Sequence, residues 1–209
     1  MKRWVILGAA DISDYAEIKS KLNEDDYIVS ADGGQKHLAK LGLDADLFIG
    51  DFDSSSIPQT DSELLKYPVE KDDTDTMLAV KIGISRGCKE FLILGGMGGR
   101  FDHTFANIQA LCYADKNSAK ATLCDEKNQL FVISGKTASI VAHQDEKVSL
   151  FSINGESCTV TLQGFYYPLE NGKLYSCDPM GVSNFLVDNT GEITVKDGTL
   201  LVVISKENQ

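Results

Sequence analysis

The sequence lacks the features of a membrane protein and of a nucleic-acid-binding protein. No apolar run approaches the length of a membrane-spanning helix. Basic residues are the minority, because 20 lysines and arginines stand against 31 acidic residues and give a net charge of −11. A nucleic-acid-binding protein needs a basic surface that replaces the counterions of the phosphates. We therefore expect neither a membrane nor nucleic acid as a partner, although acidity suits a protein that handles polyphosphates through metal ions.

The sequence also lacks a cysteine motif. Its five cysteines are widely spaced, odd in number and without a C-x-x-C pair, which argues against disulfides and against a zinc site. Reduced thiols in a cytoplasmic protein are therefore expected. The apolar stretch from Trp4 to Ala10 runs directly into acidic residues without a cleavage region. We interpret it as a first β-strand and not as a signal peptide.

Short apolar runs alternate with helical patterns over the first part of the chain. The predicted strands are RWVILGA, YIVSADGG, LFIGDFDS, EFLILGGMGG and KATLCD. The predicted helices are DYAEIKSKLN, GQKHLAKLG with Gly42 at its end, DTDTMLAVKIGISRG and FDHTFANIQALCYA. Apolar strands that alternate with helices predict a three-layer α/β domain with a mostly parallel sheet.

A different pattern begins after about residue 130. The later segments are β-rich, with turn signals at NG, ENG, NTG and DG; they are SIVAHQDEKVSLFSI, SCTVTLQGFYYPL, VSNFLVD and ITVKDGTLLVVIS. We expect a small antiparallel sandwich or barrel. The predicted domains are therefore residues 1–130 and residues 131–209.

Polar clusters follow four of the predicted strands or the loops behind them. They are Asp32-Gly33-Gly34, Asp51-Phe52-Asp53-Ser54, Lys71-Asp72-Asp73-Thr74-Asp75 and the segment from Gly95 to His103. Ligands of open α/β sheets bind outside the carboxyl ends of the strands. We therefore expect these clusters to form one site.

Each cluster also has a structural interpretation. The first could be only a strand-to-helix turn, and the second a solvated surface turn. Asp51 and Asp53 would repel each other if both faced the same space unpaired, so a cation between them is the alternative. Asp72, Asp73 or Thr74 could cap the following helix, where acidic residues are favoured.

The segment GGMGGRFDH is the most specific of the four. Its glycines allow close approach of the backbone to a ligand, and the following helix offers N–H groups to phosphate. It is not a dinucleotide-binding fingerprint, because Phe101 stands where the third glycine would be, and it is not a Walker A loop. Arg100 supplies a planar fork for phosphate oxygens, whereas His103 is more often a structural residue than a catalyst. An acidic cluster facing such a loop indicates phosphoryl-type transfer with Mg²⁺.

The ordered set of these segments resembles the thiamine pyrophosphokinase family. The matching segments are SADGG, GDFDS, KDDTDTMLAV and GGMGGRFDH, with GFYYPLENGKLYSCDPMGVSNFLVD similar to the family's substrate-binding domain. The resemblance implies an ATP:thiamine diphosphotransferase that gives thiamine diphosphate and AMP. It assigns ATP and Mg²⁺ to residues 1–130 and thiamine to residues 131–209.

The resemblance also implies the site residues. Asp51, Asp53 and Asp75 would bind Mg²⁺, while Asp72 and Asp102 would complete the metal shell, orient water or accept the hydroxyl proton. The residues expected at ATP are Asp32, Gly33, Gly34, Lys71, Thr74, Gly96, Gly98, Gly99, Arg100 and His103, with the Gly95–Gly99 amides beneath the phosphates. Those expected at thiamine are Ser183, Asn184 and Tyr167, with Phe165, Tyr166 and Phe185 as further stacking candidates. Aromatic residues of a small β-domain nevertheless belong more often to its core.

Family members are homodimers in which thiamine lies between the catalytic domain of one subunit and the β-domain of the other, so the resemblance implies a shared site. Two other functions remain open at this point. A metal-dependent phosphohydrolase would use the same aspartates with water as its nucleophile. A nucleotide sensor would bind ATP without turnover.

Overall fold

Buried apolar strands organise the first of the two units into which the chain divides, Met1–Glu126 and Lys127–Gln209. The computed structural model describes residues 2–50, 61–68 and 72–207. The described strands of the first unit are β1 Trp4–Leu7, β2 Tyr27–Ala31, β3 Leu47–Gly50, β4 Glu63–Lys66, β5 Glu90–Leu94 and β6 Lys120–Cys124. They pair in parallel in the order β4-β3-β2-β1-β5-β6. This confirms the predicted parallel sheet.

Helices follow the strands of this unit. They are α1 Tyr15–Ser20, a 3₁₀ helix Asp32–His37, α2 Leu38–Leu41, α3 Asp75–Ser85 and α4 Phe101–Lys116. The predicted end of α2 is confirmed, because Gly42 adopts the left-handed conformation with φ 69°. The edge strand β4 was not predicted from the sequence. Its four residues, ELLK, are only partly buried and carry no apolar run.

The second unit contains two antiparallel sheets. Its described strands are β7 Asn128–Ser134, β8 Thr137–Val141, β9 Glu146–Ile153, β10 Ser157–Gln163, β11 Leu169–Tyr175, β12 Thr190–Asp197 and β13 Thr199–Lys206. They pair in the orders β7-β13-β9 and β11-β10-β12-β8. Apolar residues of both sheets, such as Val148 and Val202 from one and Val160 and Ile193 from the other, form one core. The predicted antiparallel sandwich is confirmed, and the domain limits 1–130 and 131–209 stay a prediction.

Two local predictions in the second unit are wrong. The segment ENG was expected to be a turn, but Asn171 and Gly172 lie inside β11. Asn171 has a φ of 50°, and the pairing of β10 with β11 shifts between Val160 and Leu162, so the turn-forming residues make a β-bulge. The segment VSNFLVD was expected to be β-rich, but it forms isolated bridges from Asn184 and Leu186 to neighbouring segments. Within the described residues, no helix is both long enough and apolar enough to cross a membrane.

Candidate active site

A cavity of about 350 Å³ lies where the parallel strands of the first unit end. Its volume is within the usual range of small-molecule sites. The ends of β1, β2 and β5 and the beginnings of α3 and α4 line it, as the rule for open α/β sheets predicts. The residues expected at ATP or metal that line it are Asp32, Thr74, Asp75, Gly96, Gly99, Arg100 and His103. The cavity thus unites residues from three of the four polar clusters.

The ends of β1 and β5 form one wall of the cavity. Gly8 donates its N–H to the carbonyl of Leu94, and Ala10 donates to that of Gly95, both at 2.8 Å. A Cβ atom on Gly8 would lie 2.6 Å from the Gly95 oxygen, so the two strand ends can approach this closely only because Gly8 is glycine. Sequence reasoning missed Gly8, Ala9 and Ala10, although LGAA stands at the carboxyl end of a predicted strand.

The glycine loop after β5 is held from beneath by a side chain of α4. The buried Asn107 donates from Nδ2 to the carbonyl oxygen of Gly96 at 2.8 Å. Gly95 and Gly98 have positive φ angles of 61° and 88°, a conformation that glycine adopts without a steric cost. Asn107 was also missed, because a single Asn on a predicted helix carries no signal without the tertiary contact.

Arg100 stands at the N-terminal boundary of α4 and pairs with Asp102. Its Nε and Nη2 atoms donate to the two carboxylate oxygens of Asp102, at 3.1 and 2.5 Å. This hydrogen bonding raises the pKa of Arg100 and lowers the pKa of Asp102. Asp102 also accepts from the backbone N–H of His103 at 3.0 Å. The guanidinium is therefore oriented by its own helix, even though both side chains are exposed.

The beginning of α3 forms the opposite side of the lining. Thr74 is the N-cap, and its hydroxyl accepts a hydrogen bond from the N–H of Met77 at 3.2 Å. Thr74 is thus the capping residue among the three candidates, and it also lines the cavity together with Asp75. Asp73 does not line the cavity, and its carboxylate accepts two hydrogen bonds of 2.7 Å from Lys81.

The residues expected at thiamine lie in the second unit. Ser183 is exposed in a left-handed conformation with φ 62°, and its N–H donates to Ser149 Oγ at 3.0 Å. Asn184 is only 6% exposed. Its Nδ2 donates to the Tyr167 carbonyl at 2.8 Å, while its Oδ1 accepts from the N–H groups of Tyr167 and Phe185 at 3.1 and 2.9 Å. Asn184 therefore holds the backbone beside Tyr167.

The aromatic candidates of this unit divide by burial. Phe165 belongs to the core, as the general tendency of aromatics in small β-domains predicts. Tyr166 and Tyr167 are both exposed. Tyr166 stacks on Phe185 with ring centroids 4.6 Å apart. The rings of Tyr166 and Tyr167 are perpendicular to each other, with centroids 4.9 Å apart, and leave aromatic surface outside the core.

Two family models match this chain, and each covers one of the two units. The model described as thiamin pyrophosphokinase, catalytic domain, matches residues 18–123. The model described as thiamin pyrophosphokinase, vitamin B1 binding domain, matches residues 137–200. The chain belongs to the thiamin pyrophosphokinase family.

Known members of the thiamin pyrophosphokinase family are similar to this chain in sequence or structure over most or all of its length. Thiamine pyrophosphokinase from Bacillus subtilis is 28% identical over 186 residues, which cover 86% of this chain and 87% of that protein. The crystal structure of the thiamine pyrophosphokinase from that organism has a TM-score of 0.87, at 24% identity, with coverage of 99% of this chain and 100% of the other. A family member from Enterococcus faecalis has a TM-score of 0.80 at 25% identity, with both chains fully covered. The chain is accordingly a transferase of the thiamine pyrophosphokinase type, and the predicted two-part fold is confirmed.

The structure does not place every expected residue of a thiamin pyrophosphokinase in the cavity wall. Asp51, Asp53 and Lys71 lie outside the described residues. Five others are described but do not line the cavity: Gly33, Gly34, Asp72, Gly98 and Asp102. Their assignment to the site stays a prediction.

The described residues that line the cavity include carboxylates, which are suitable ligands for a hard cation. Asp32 and Asp75 contribute carboxylates to the lining, and carboxylate oxygen is the ligand type that Mg²⁺ prefers. Among the described residues, no three His, Cys, Asp or Glu side chains converge on one point. The remaining two predicted ligands of the thiamin pyrophosphokinase metal, Asp51 and Asp53, fall outside that part of the chain.

Proposed function

We propose that the protein transfers the pyrophosphoryl group of ATP to the hydroxyl group of thiamine, giving thiamine diphosphate and AMP. The observation that carries this proposal is the cavity at the carboxyl ends of β1, β2 and β5. It combines a glycine-lined wall, the first turn of the 16-residue helix α4 and the guanidinium of Arg100. Unpaired N–H groups and the positive end of a helix dipole bind phosphate.

Arg100 and Lys71 are the proposed phosphate-binding cations. Asp102 occupies Nε and Nη2 of Arg100, whereas Nη1 has no hydrogen-bond partner among the described residues. A phosphate oxygen can therefore bind Nη1 without displacing Asp102. The amides of Gly96 and Gly99 and the side chain of His103 line the same cavity, and we place them around the phosphates. Asp32, with Gly33 and Gly34 behind it, would border the nucleoside.

Mg²⁺ is the proposed cofactor, held by Asp51, Asp53 and Asp75. When bound, it would neutralise the charge that develops on the phosphate oxygens during transfer. Asp72 and Asp102 are the candidates to accept the hydroxyl proton of thiamine. Because its contact with Arg100 lowers the pKa of Asp102, Asp102 is a weaker base than an ordinary carboxylate. Its better supported role is to orient Arg100.

Ser183 and Tyr167 are the proposed direct contacts with thiamine. Both side chains are exposed, and Tyr167 packs edge-on against Tyr166, which stacks on Phe185. A flat cationic ring is attracted to such aromatic faces. Asn184, whose amide is already used within the unit, would act by holding Tyr167 in place.

The proposed assembly is a cytoplasmic homodimer whose active site is shared between subunits. Large apolar side chains are exposed in each unit: Phe101 and Phe105 on α4, and Tyr166, Tyr167 and Val187 in the second unit. Exposed large apolar side chains that cluster on a surface are typical of an interface. All five cysteines are free, which supports a reducing compartment such as the cytoplasm.

The test is to incubate the protein with ATP, Mg²⁺ and thiamine and to identify both products by chromatography and mass spectrometry. We expect equal amounts of thiamine diphosphate and AMP, with no AMP when thiamine is omitted. Phosphate release that does not depend on thiamine would indicate a phosphohydrolase instead. Tight ATP binding without any turnover would indicate a nucleotide sensor.

A further inference from the structure

His37 is a buried histidine at the end of the 3₁₀ helix that begins with Asp32. Only 1% of its surface is exposed. Nε2 lies 2.9 Å from the carbonyl oxygen of Ala10, and Nδ1 lies 2.8 Å from the hydroxyl of Tyr15. Both ring nitrogens therefore have partners, and both partners lie on the stretch that leads from β1 into α1.

These contacts determine the protonation of the ring. A carbonyl oxygen can only accept a hydrogen bond, so Nε2 must carry the proton and donate to Ala10. In a neutral ring Nδ1 then accepts from the hydroxyl of Tyr15. Burial lowers the pKa of His37, which favours this neutral form. The charged neighbours are Lys36, Lys40 and Asp11, with the two lysines favouring the neutral form and Asp11 opposing it.

The contact with Ala10 reaches the wall of the cavity. Ala9 and Ala10 line the cavity. The N–H of Ala10 donates to Gly95 in the glycine loop, and its carbonyl accepts from His37. The peptide groups of Ala10 are thus held from both sides, by the loop after β5 and by the 3₁₀ helix after β2. Further along the same loop, the N–H of Asp14 is held by Glu126 at 2.9 Å.

We propose that His37 is a positioning residue for the nucleotide: the relay Tyr15–His37–Ala10 holds the Ala9–Ala10 wall at the distance that the nucleotide requires. The inference rests on the proposed function, since it takes the cavity to be the ATP site. His37 itself touches no substrate. Its effect is transmitted through the Ala10 carbonyl, so it should affect ground-state binding of ATP more than turnover.

Three variants separate the two hydrogen bonds of the ring. His37→Phe retains a ring and removes both bonds. His37→Gln retains a donor that can reach the Ala10 carbonyl and should restore much of the function. Tyr15→Phe removes only the hydroxyl that contacts Nδ1 and leaves the hydrogen bond from Nε2 to Ala10. A matched control is Asp26→Asn, which disturbs a buried contact with Arg3 just before β2, at the opposite end of that strand from Asp32.

We expect His37→Phe to raise the KM for ATP about tenfold, which is the effect of losing one to two hydrogen bonds, while kcat and the KM for thiamine change less than about twofold. His37→Gln should recover most of that loss. Asp26→Asn should lower the melting temperature without changing either KM. Equal effects of His37→Phe and Asp26→Asn on the KM for ATP would reduce His37 to a core residue and overturn the proposal.

A second measurement does not depend on activity. ¹⁵N NMR of the imidazole nitrogens in the full chain should show the Nε2–H tautomer in the wild type, and in Tyr15→Phe as well, because the Ala10 carbonyl still accepts from Nε2. An Nδ1–H tautomer in the wild type would overturn the relay. Binding of a non-hydrolysable ATP analogue distinguishes a failure of the proposed function from a failure of the positioning role of His37. If the wild type does not bind it, the proposed function fails; if the folded His37→Phe variant binds it as tightly as the wild type, the positioning role fails.

Discussion

Arg100 is the residue whose contacts bear most directly on the chemistry. Asp102 orients its guanidinium through two hydrogen bonds, while Arg100 also lines the cavity. A lysine ammonium is a point charge on a flexible chain and cannot form this two-pronged contact. Charge alone therefore does not define the role of Arg100, and the planar geometry of the group should matter.

Arg100→Lys is predicted to reduce activity by about tenfold to a hundredfold, the range that corresponds to one strong charge-assisted hydrogen bond. The loss should appear in kcat if Arg100 stabilises developing charge, and in the KM for ATP if it binds only the ground state. Steady-state kinetics with ATP as the varied substrate distinguishes the two. A variant equal to the wild type in both parameters would leave Arg100 as a surface residue at the start of α4.

Asp53→Asn is predicted to preserve the fold and remove most activity. Asparagine keeps the shape of the side chain but loses the charge that Mg²⁺ requires. We expect a loss of about a hundredfold or more in rate, roughly 3 kcal/mol. Thermal melting should show that Mg²⁺ raises the melting temperature of the wild type more than that of the variant. Full activity at ordinary Mg²⁺ concentration would contradict the assignment of Asp53 as a ligand.

At the scale of elements, the turn from β2 into the 3₁₀ helix is limited by close packing. A Cβ atom on Gly34 would lie 1.9 Å from the carbonyl oxygen of Leu7, which belongs to the neighbouring strand β1. The glycine is therefore required because the turn crosses directly over the backbone of β1. Gly34 does not line the cavity, so its contribution to the site is to let Asp32 reach the lining.

Gly34→Ala is predicted to lower the free energy of unfolding by more than about 3 kcal/mol, because a backbone oxygen cannot move aside as a flexible side chain does. Gly155→Ala is the matched control, since a Cβ atom there meets nothing within 4 Å. It should change the free energy of unfolding by less than about 0.5 kcal/mol. Urea denaturation followed by circular dichroism measures both values. Similar stabilities of the two variants would show that the β2 turn can relax.

At the scale of the whole molecule, the two sets of proposed site residues belong to different units. The proposed phosphate and metal residues lie before residue 104, and the proposed thiamine contacts lie after residue 164. If the active site is shared between subunits, two inactive variants with damage in different units can rescue each other.

Mixing the Asp53→Asn and Ser183→Ala chains is predicted to restore about a quarter of wild-type activity in a two-fold symmetric dimer. Random exchange makes about half of the dimers mixed, and each mixed dimer has one intact site of two. The estimate requires that each variant alone is nearly inactive and that native mass spectrometry shows complete exchange. Activity that stays at the sum of the two variants after exchange would show that each site is built within one chain.

The sequence by itself determined the fold class of both units. Apolar runs such as WVIL and FLIL, each followed by a helical pattern, indicate a sheet that is buried on both faces. This pattern involves only residues that are close in sequence, so it can be recognised without the structure. The same reasoning located the glycine loop, Thr74 and Arg100 in one cavity, because parallel strands must end at one edge. Strand β4 and the bulge at Asn171 were not predicted, since partial burial and turn-forming residues give the opposite local signal.

Only the tertiary structure determined how the cavity wall is supported. Asn107 beneath Gly96, and His37 between Tyr15 and Ala10, join residues that are 11, 22 and 27 positions apart in the chain. Neither side chain belongs to a recognisable motif, and the same residue types are common on ordinary helices. Hydrogen bonds between distant segments depend on how strands and helices pack, and hydrophobic periodicity carries no information about them. For that reason Asp32, Thr74, Asp75 and Arg100 could be predicted from local sequence to share one site, whereas Gly8, Ala9 and Ala10 in the lining and His37 behind it required the folded structure.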